Sequence, residues 1–140
     1  MSARIYYSNA DKPPFPQVDV GVASWYGEHY LPAKGKIDTG SVTTVIPDGM
    51  VRDLNLKVSG SKRLKYGEEI KEVVAYSVLL KIGPFEFDPI KAISSEGRKT
   101  VLLGRDLLNL VKMSLDGKTK SGEIIQWSKN PEDAYFDKQK

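Results

Sequence analysis

Residues 37–47 read Ile37-Asp38-Thr39-Gly40-Ser41-Val42-Thr43-Thr44-Val45-Ile46-Pro47. A carboxylate follows the strand that ends at Ile37, in a turn that contains glycine and is flanked by hydroxyls. Glycine lets backbone come close to whatever binds there, and threonine and serine can donate to the carboxylate or to neighbouring backbone. A carboxylate so placed is ionised, oriented and partly shielded, as a general base requires. An Asx-type turn between two strands accounts for the same residues, and on the residues alone it is the stronger reading.

Working outward, the pattern is that of a mostly-β chain. Val18, Val20 and Val22 alternate with Asp19, Gly21 and Ala23, the period of a strand. Asn9 to Pro16 holds three prolines, which remove ladder donors, so residues 1–16 read as an extended N-terminal lead-in. A polar turn around His29 precedes a strand over 33–37. Val42–Ile46 reads as a β-branched strand stopped by Pro47, with a short helix over Met50–Leu56. Residues 64–82 read as a hairpin with its tip at Tyr66-Gly67-Glu68, and Phe85–Ile93 as a further strand. Val101-Leu102-Leu103 reads as a buried strand, Arg105–Met113 as a short helix and Ser114–Gln126 as a last hairpin. Residues 17–127 form the expected domain, and 128–140 a polar, mobile tail. Val45, Ile46, Val101 and Leu102 are candidates for either pocket or core.

Composition excludes several chemistries. A chain of 140 residues, 40% hydrophobic and 28% charged, suits one soluble domain with a core of its own. It has no cysteine and one histidine, so disulfides, thiolate zinc sites and cysteine nucleophiles are out, and His29 reads as an exposed loop residue. No apolar run approaches the ~18 residues of a membrane span. Met1–Lys12 lacks the layout of a secretory signal, so a cytoplasmic location is expected. The net charge of +3 is mild. Lys62, Arg63 and Lys65 are followed at once by Glu68, Glu69 and Glu72, which reads as a solvated hairpin rather than a nucleic-acid surface.

A second stretch changes the weighting of the first. Thr100-Val101-Leu102-Leu103-Gly104-Arg105-Asp106-Leu107-Leu108 carries an apolar-apolar-glycine element before a helix. Together with Asp38-Thr39-Gly40-Ser41, and with a hairpin (61–76) between the two, it resembles the retroviral-type, or retropepsin-like, aspartic peptidases. The resemblance runs from about Val18 to Ile125. It implies a single-domain acid-protease-like closed barrel with one short C-terminal helix, active as a two-fold homodimer. A single Asp-Thr-Gly then suffices, because an isologous axis brings the same aspartate from both copies together.

The resemblance also implies roles. Asp38 is the catalytic residue, sharing one proton with its copy. Thr39 supports the loop by bonding across to the other subunit, and Gly40 offers its carbonyl to an extended substrate. The Ser41 hydroxyl can donate to the outer oxygen of Asp38 or merely bond its own turn. Gly104 allows the close backbone crossing of a psi-shaped loop, and Tyr66, Gly67 and Glu68 form a flap over a polypeptide substrate. No metal or organic cofactor is implied. The pattern departs at Val42, where retroviral members carry an acid for the arginine of their Gly-Arg motif; Arg105 is then left for Asp106 or a partner-chain residue. Gly67 stands alone amid charges at a tip that is glycine-rich in those members. Two other functions fit the same residues: a non-catalytic dimeric module that holds a peptide, and a structural or nucleic-acid-associated β-protein.

Overall fold

The computed structural model describes residues 1–27 and 29–135. Eleven strands form one sheet. In chain order they are β1 (Ala3–Ser8), β2 (Phe15–Ser24), β3 (Leu31–Ile37), β4 (Val45–Pro47), β5 (Val58–Tyr66), β6 (Glu69–Ile82), β7 (Phe85–Glu86), β8 (Ile90–Ser95), β9 (Val101–Leu103), β10 (Val111–Asp116) and β11 (Ser121–Trp127). Two short helices, α1 (Asp48–Asp53) and α2 (Arg105–Leu108), follow β4 and β9, and a 3-10 helix spans Pro131–Ala134.

Strand neighbours run β10-β11-β1-β2-β3-β9-β4-β8-β6-β5, and β6 pairs with β2 as well. Strand β2 serves three partners by dividing its length. Residues 15–17 face β1, 17–22 face β3, and 20–24 face β6. Its alternation explains this position: Val18, Val20 and Val22 all point into the core, against Ile5, Ile37, Leu80, Ile82, Val101, Leu103 and Ile124.

Several elements differ from the sequence expectation, each for a physical reason. The first sixteen residues are not only a lead-in: β1 pairs β2 on one side and β11 on the other, burying Ala3 and Ile5. Pro16 stands opposite Tyr7 near the start of β2, where a missing N–H is tolerated. The expected strand from Val42 shortens to Val45–Pro47, because Thr43 and Thr44 turn inward to a buried carboxylate. Pro89 divides the expected 85–93 strand into β7 and β8.

The helix expected over Arg105–Met113 stops at Leu108, and Val111 begins β10. Leu107, Leu108 and Leu110 are all buried, so an apolar run that suits a helix also suits a tight turn entering a strand. The expected single C-terminal helix is therefore one turn long, and α1 is the longer of the two. Residues 128–135 of the expected mobile tail are docked. Ser128 N–H donates to the Leu110 carbonyl (2.7 Å), Asn109 Nδ2 donates to that of Ala134 (3.0 Å), and Ala134 is buried. The rest of that tail, 136–140, lies outside the described residues.

Candidate active site

Asp38 follows directly on β3, at the point where parallel pairing with β9 ends at Ile37 opposite Leu103. Its N–H continues the ladder by donating to the Leu103 carbonyl (3.1 Å). The chain then turns. Gly40 N–H donates to Asp38 Oδ1 (2.9 Å) and Ser41 N–H to the Asp38 carbonyl (3.1 Å), so the half-buried carboxylate is oriented by its own turn. The Asx geometry is itself what orients the Asp38 carboxylate.

The loop after Asp38 crosses the chain between β9 and α2. Val45 of β4 pairs antiparallel with Leu102 of β9, on the far side from β3, so β9 lies between the two strands that flank the Asp38 loop. At the crossing, a Cβ on Gly104 would lie 2.5 Å from the Thr43 carbonyl carbon and oxygen. Those are backbone atoms and cannot swing aside, so the crossing requires glycine. Arg105 N–H donates to the Ser41 carbonyl (2.8 Å) and its guanidinium to that of Thr39 (2.7 Å). Arg105 thus holds the loop backbone directly instead of pairing with Asp106.

Asp106, 6% exposed, is the buried carboxylate beneath this loop. It accepts from the Thr44 N–H (3.0 Å), the Thr44 hydroxyl (2.7 Å) and, more weakly, the Thr43 hydroxyl (3.4 Å). The Thr44 oxygen accepts in turn from Gly104 N–H (3.2 Å). From β5, Lys62 Nζ donates to Thr43 Oγ1 (2.6 Å) and stands 3.6 Å from Asp106 Oδ2. Burial pushes the Lys62 ammonium below its usual pKa, while the Asp106 charge opposes that shift. Lys62 is therefore not part of a solvated hairpin surface: it neutralises the one buried acid among the described residues and ties the hairpin stem to the loop.

The hairpin of β5 and β6 closes the other side of a cleft of about 510 Å³. Its floor is Gly40, Ser41 and Val42 with Val45, Ile93 and Leu102, and its wall is Arg63 through Tyr66. Of the expected flap residues, Tyr66 lines this cleft. Gly67 sits at the tip with φ +62 and nothing within 4 Å of its Cβ position, and Glu68 is exposed beside it. Val45 and Leu102 prove to be cleft residues, whereas Ile46 and Val101 are fully buried in the core. His29 is exposed.

One expected role meets a different geometry. Ser41 Oγ donates to the Thr43 carbonyl (2.8 Å) within its own loop, so it is not the donor to Asp38. Thr39 is exposed and its hydroxyl forms no hydrogen bond among the described residues of one chain. The sequence reading missed Thr43, Thr44, Asp106 and Lys62. The available signal was two consecutive hydroxyl residues after the glycine turn and an acid after Gly-Arg, inside elements otherwise apolar. No group of three histidine, cysteine or acidic side chains is placed to hold a metal among the described residues, and no helix there is long and apolar enough to cross a membrane.

No family model and no curated protein matches this chain. A solved structure does: a retropepsin-like aspartic protease from Rickettsia conorii superposes with a TM-score of 0.61 over 89% of both chains, at 17% sequence identity. The fold is therefore retropepsin-like, mostly β and continuous through nearly the whole chain.

Proposed function

We propose that this chain is one half of a homodimeric aspartic endopeptidase, in which Asp38 and its copy in a second protomer form the catalytic pair. The observation that carries the reading is the position of Asp38: at the end of β3, oriented by Gly40 N–H, braced by Arg105 and the Asp106 network, and next to a cleft walled by a hairpin. The retropepsin-like fold supports it.

Two such carboxylates about 3 Å apart cannot both ionise, so the pair holds one proton between them. One takes a proton from a bound water, which attacks the peptide carbonyl; the other donates to the carbonyl oxygen, and a proton then passes to the leaving amine. The chemistry uses no metal or organic cofactor. The Thr39 hydroxyl, exposed and without a partner among the described residues, is available to bond across the dimer axis. Gly40 is exposed beside the cleft and offers its carbonyl to substrate. Gly104 supports the loop from beneath, while Tyr66, Gly67 and Glu68 close over the peptide and exclude water.

Asp38→Asn tests the assignment, because asparagine is nearly isosteric but cannot act as base. Incubated with a peptide library, the wild type should cut and the variant should not, with both eluting as dimers of equal melting temperature. Equal cleavage by the two proteins would remove Asp38 from the chemistry. Retention of peptides by both without any cleavage would instead favour a binding module of the same fold.

A further inference from the structure

Strand β5 ends the sheet order and pairs with β6 alone, so among the described residues its outer edge has no partner strand. Unpaired N–H and C=O groups on such an edge can take an extended peptide as one more strand. This edge borders the cleft. Four successive residues, Arg63 to Tyr66, line it, whereas a strand presenting one face would contribute only every second residue.

The charges on that edge are one-sided. Arg63 and Lys65 are the only ionisable acid or base side chains in the lining apart from the Tyr66 phenol, and no carboxylate is among them. Both are exposed, and neither makes an ion pair or side-chain hydrogen bond among the described residues. Glu72, the cross-strand neighbour of Arg63, lies outside the lining and accepts instead from Ser61 Oγ (2.7 Å). Strand periodicity sorts the two sides: Arg63 and Lys65 share the outer face, while Lys62 and Leu64 share the half-buried inner one.

A peptide laid along this edge alternates in the same way. Its inward side chains meet Leu64 and the apolar floor of Val42, Val45, Ile93 and Leu102; its outward ones meet two unpaired cations about 7 Å apart, the repeat of a strand. We propose that the cleft selects an extended acidic peptide in which apolar residues alternate with Asp or Glu, the acids facing Arg63 and Lys65. This deepens the peptidase reading of Asp38 and names its substrate class.

The test uses two fluorescent decapeptides, one alternating Leu or Val with Glu, the other with Gln at the Glu positions. Wild-type protein should favour the Glu peptide roughly tenfold in kcat/KM, two opposite-charge cross-strand pairs being involved. Raising the salt concentration should shrink the ratio, and in the double variant Arg63→Gln, Lys65→Gln it should fall close to one. A ratio near one in wild type, or one unchanged in the double variant, overturns the proposal and leaves the peptidase reading intact. Fluorescence anisotropy with Asp38→Asn separates the two ideas. Glu-selective binding without cleavage by wild type would sink the peptidase reading while sustaining the acidic-peptide site. Equal binding of both peptides, or none, would sink the site.

Discussion

The loop crossing at 38–44 and 101–108 and the outer hairpin at 58–74 face the same cleft, yet they are built on opposite principles. At the crossing, backbone meets backbone at a distance only glycine permits, and one buried carboxylate collects the donors of Thr43 and Thr44 and faces the Lys62 ammonium. In the hairpin, every residue from Lys65 to Glu72 is exposed, Ile70 included, as is Val74, and a Cβ at Gly67 would meet nothing within 4 Å. The first region has a single low-energy arrangement; the second is held by its own ladder and, at its stem, by Lys62. The proposed reaction, which must hold a carboxylate still and yet admit a polymer, would need both. Rigidity here comes from polar saturation below the loop, and freedom from the absence of buried apolar surface above it.

The sharpest way to break this contrast is at Gly104. Gly104→Ala sets a methyl against the Thr43 carbonyl at 2.5 Å, and the loss should be about 3 kcal/mol or more, read as a large drop in melting temperature. A variant as stable as wild type would mean that the crossing yields. Next comes Asp106→Ala, which strands the Thr44 N–H and the Lys62 ammonium without their acceptor. Denaturant unfolding should register about 3 kcal/mol of destabilisation, and Asp106→Asn clearly less, since one acceptor oxygen survives.

The hairpin should behave in reverse. Gly67→Pro forces the tip out of φ +62, yet removes no core contact. Global stability should change by only about 1 kcal/mol, while peptide turnover falls tenfold or more; a lower melting temperature with an unchanged rate would make the hairpin structural. The smallest effect is expected at Ser41, whose hydroxyl bonds the Thr43 carbonyl. Ser41→Ala should cost about 1 kcal/mol and leave the pH–rate profile superimposable on that of wild type. An upward shift of the profile would mean that the hydroxyl reaches Asp38 during catalysis.

Local chemistry was legible in the sequence; long-range partnership was not. The Asp38 turn and the hairpin tip at Gly67 are set by backbone geometry that neighbouring residues declare, whereas the need for glycine at 104 comes from the distant Thr43 backbone and was legible only through the resemblance. Strand β1 was hidden because three prolines follow it within Asn9 to Pro16, and because Ala3 to Tyr6 pair with β11, more than a hundred positions away. The brevity of α2 was hidden because Leu107, Leu108 and Leu110 bury equally well in a helix or a turn. Lys62 read as surface charge because its partner, Asp106, comes 44 residues later and is itself disguised inside an apolar motif. Arg105 found backbone carbonyls, acceptors that no side-chain pattern announces.

The placement of β1 also bears on how the molecule assembles. Ala3 to Tyr6 pairs with Ser121 to Ile124, and β1 alone joins the β10–β11 hairpin to β2 in the strand order. Strand β1 therefore waits for β11, more than a hundred residues further along the chain, before its second edge is covered. Contacts that close so long a loop form late and slowly, in a topology already rich in distant pairings. Until β11 has been made, one edge of β1 stays open to whatever strand is nearest, including a neighbouring nascent copy. Folding yield in the cell should then be limited less by the active-site crossing than by the time β1 spends with that edge uncovered.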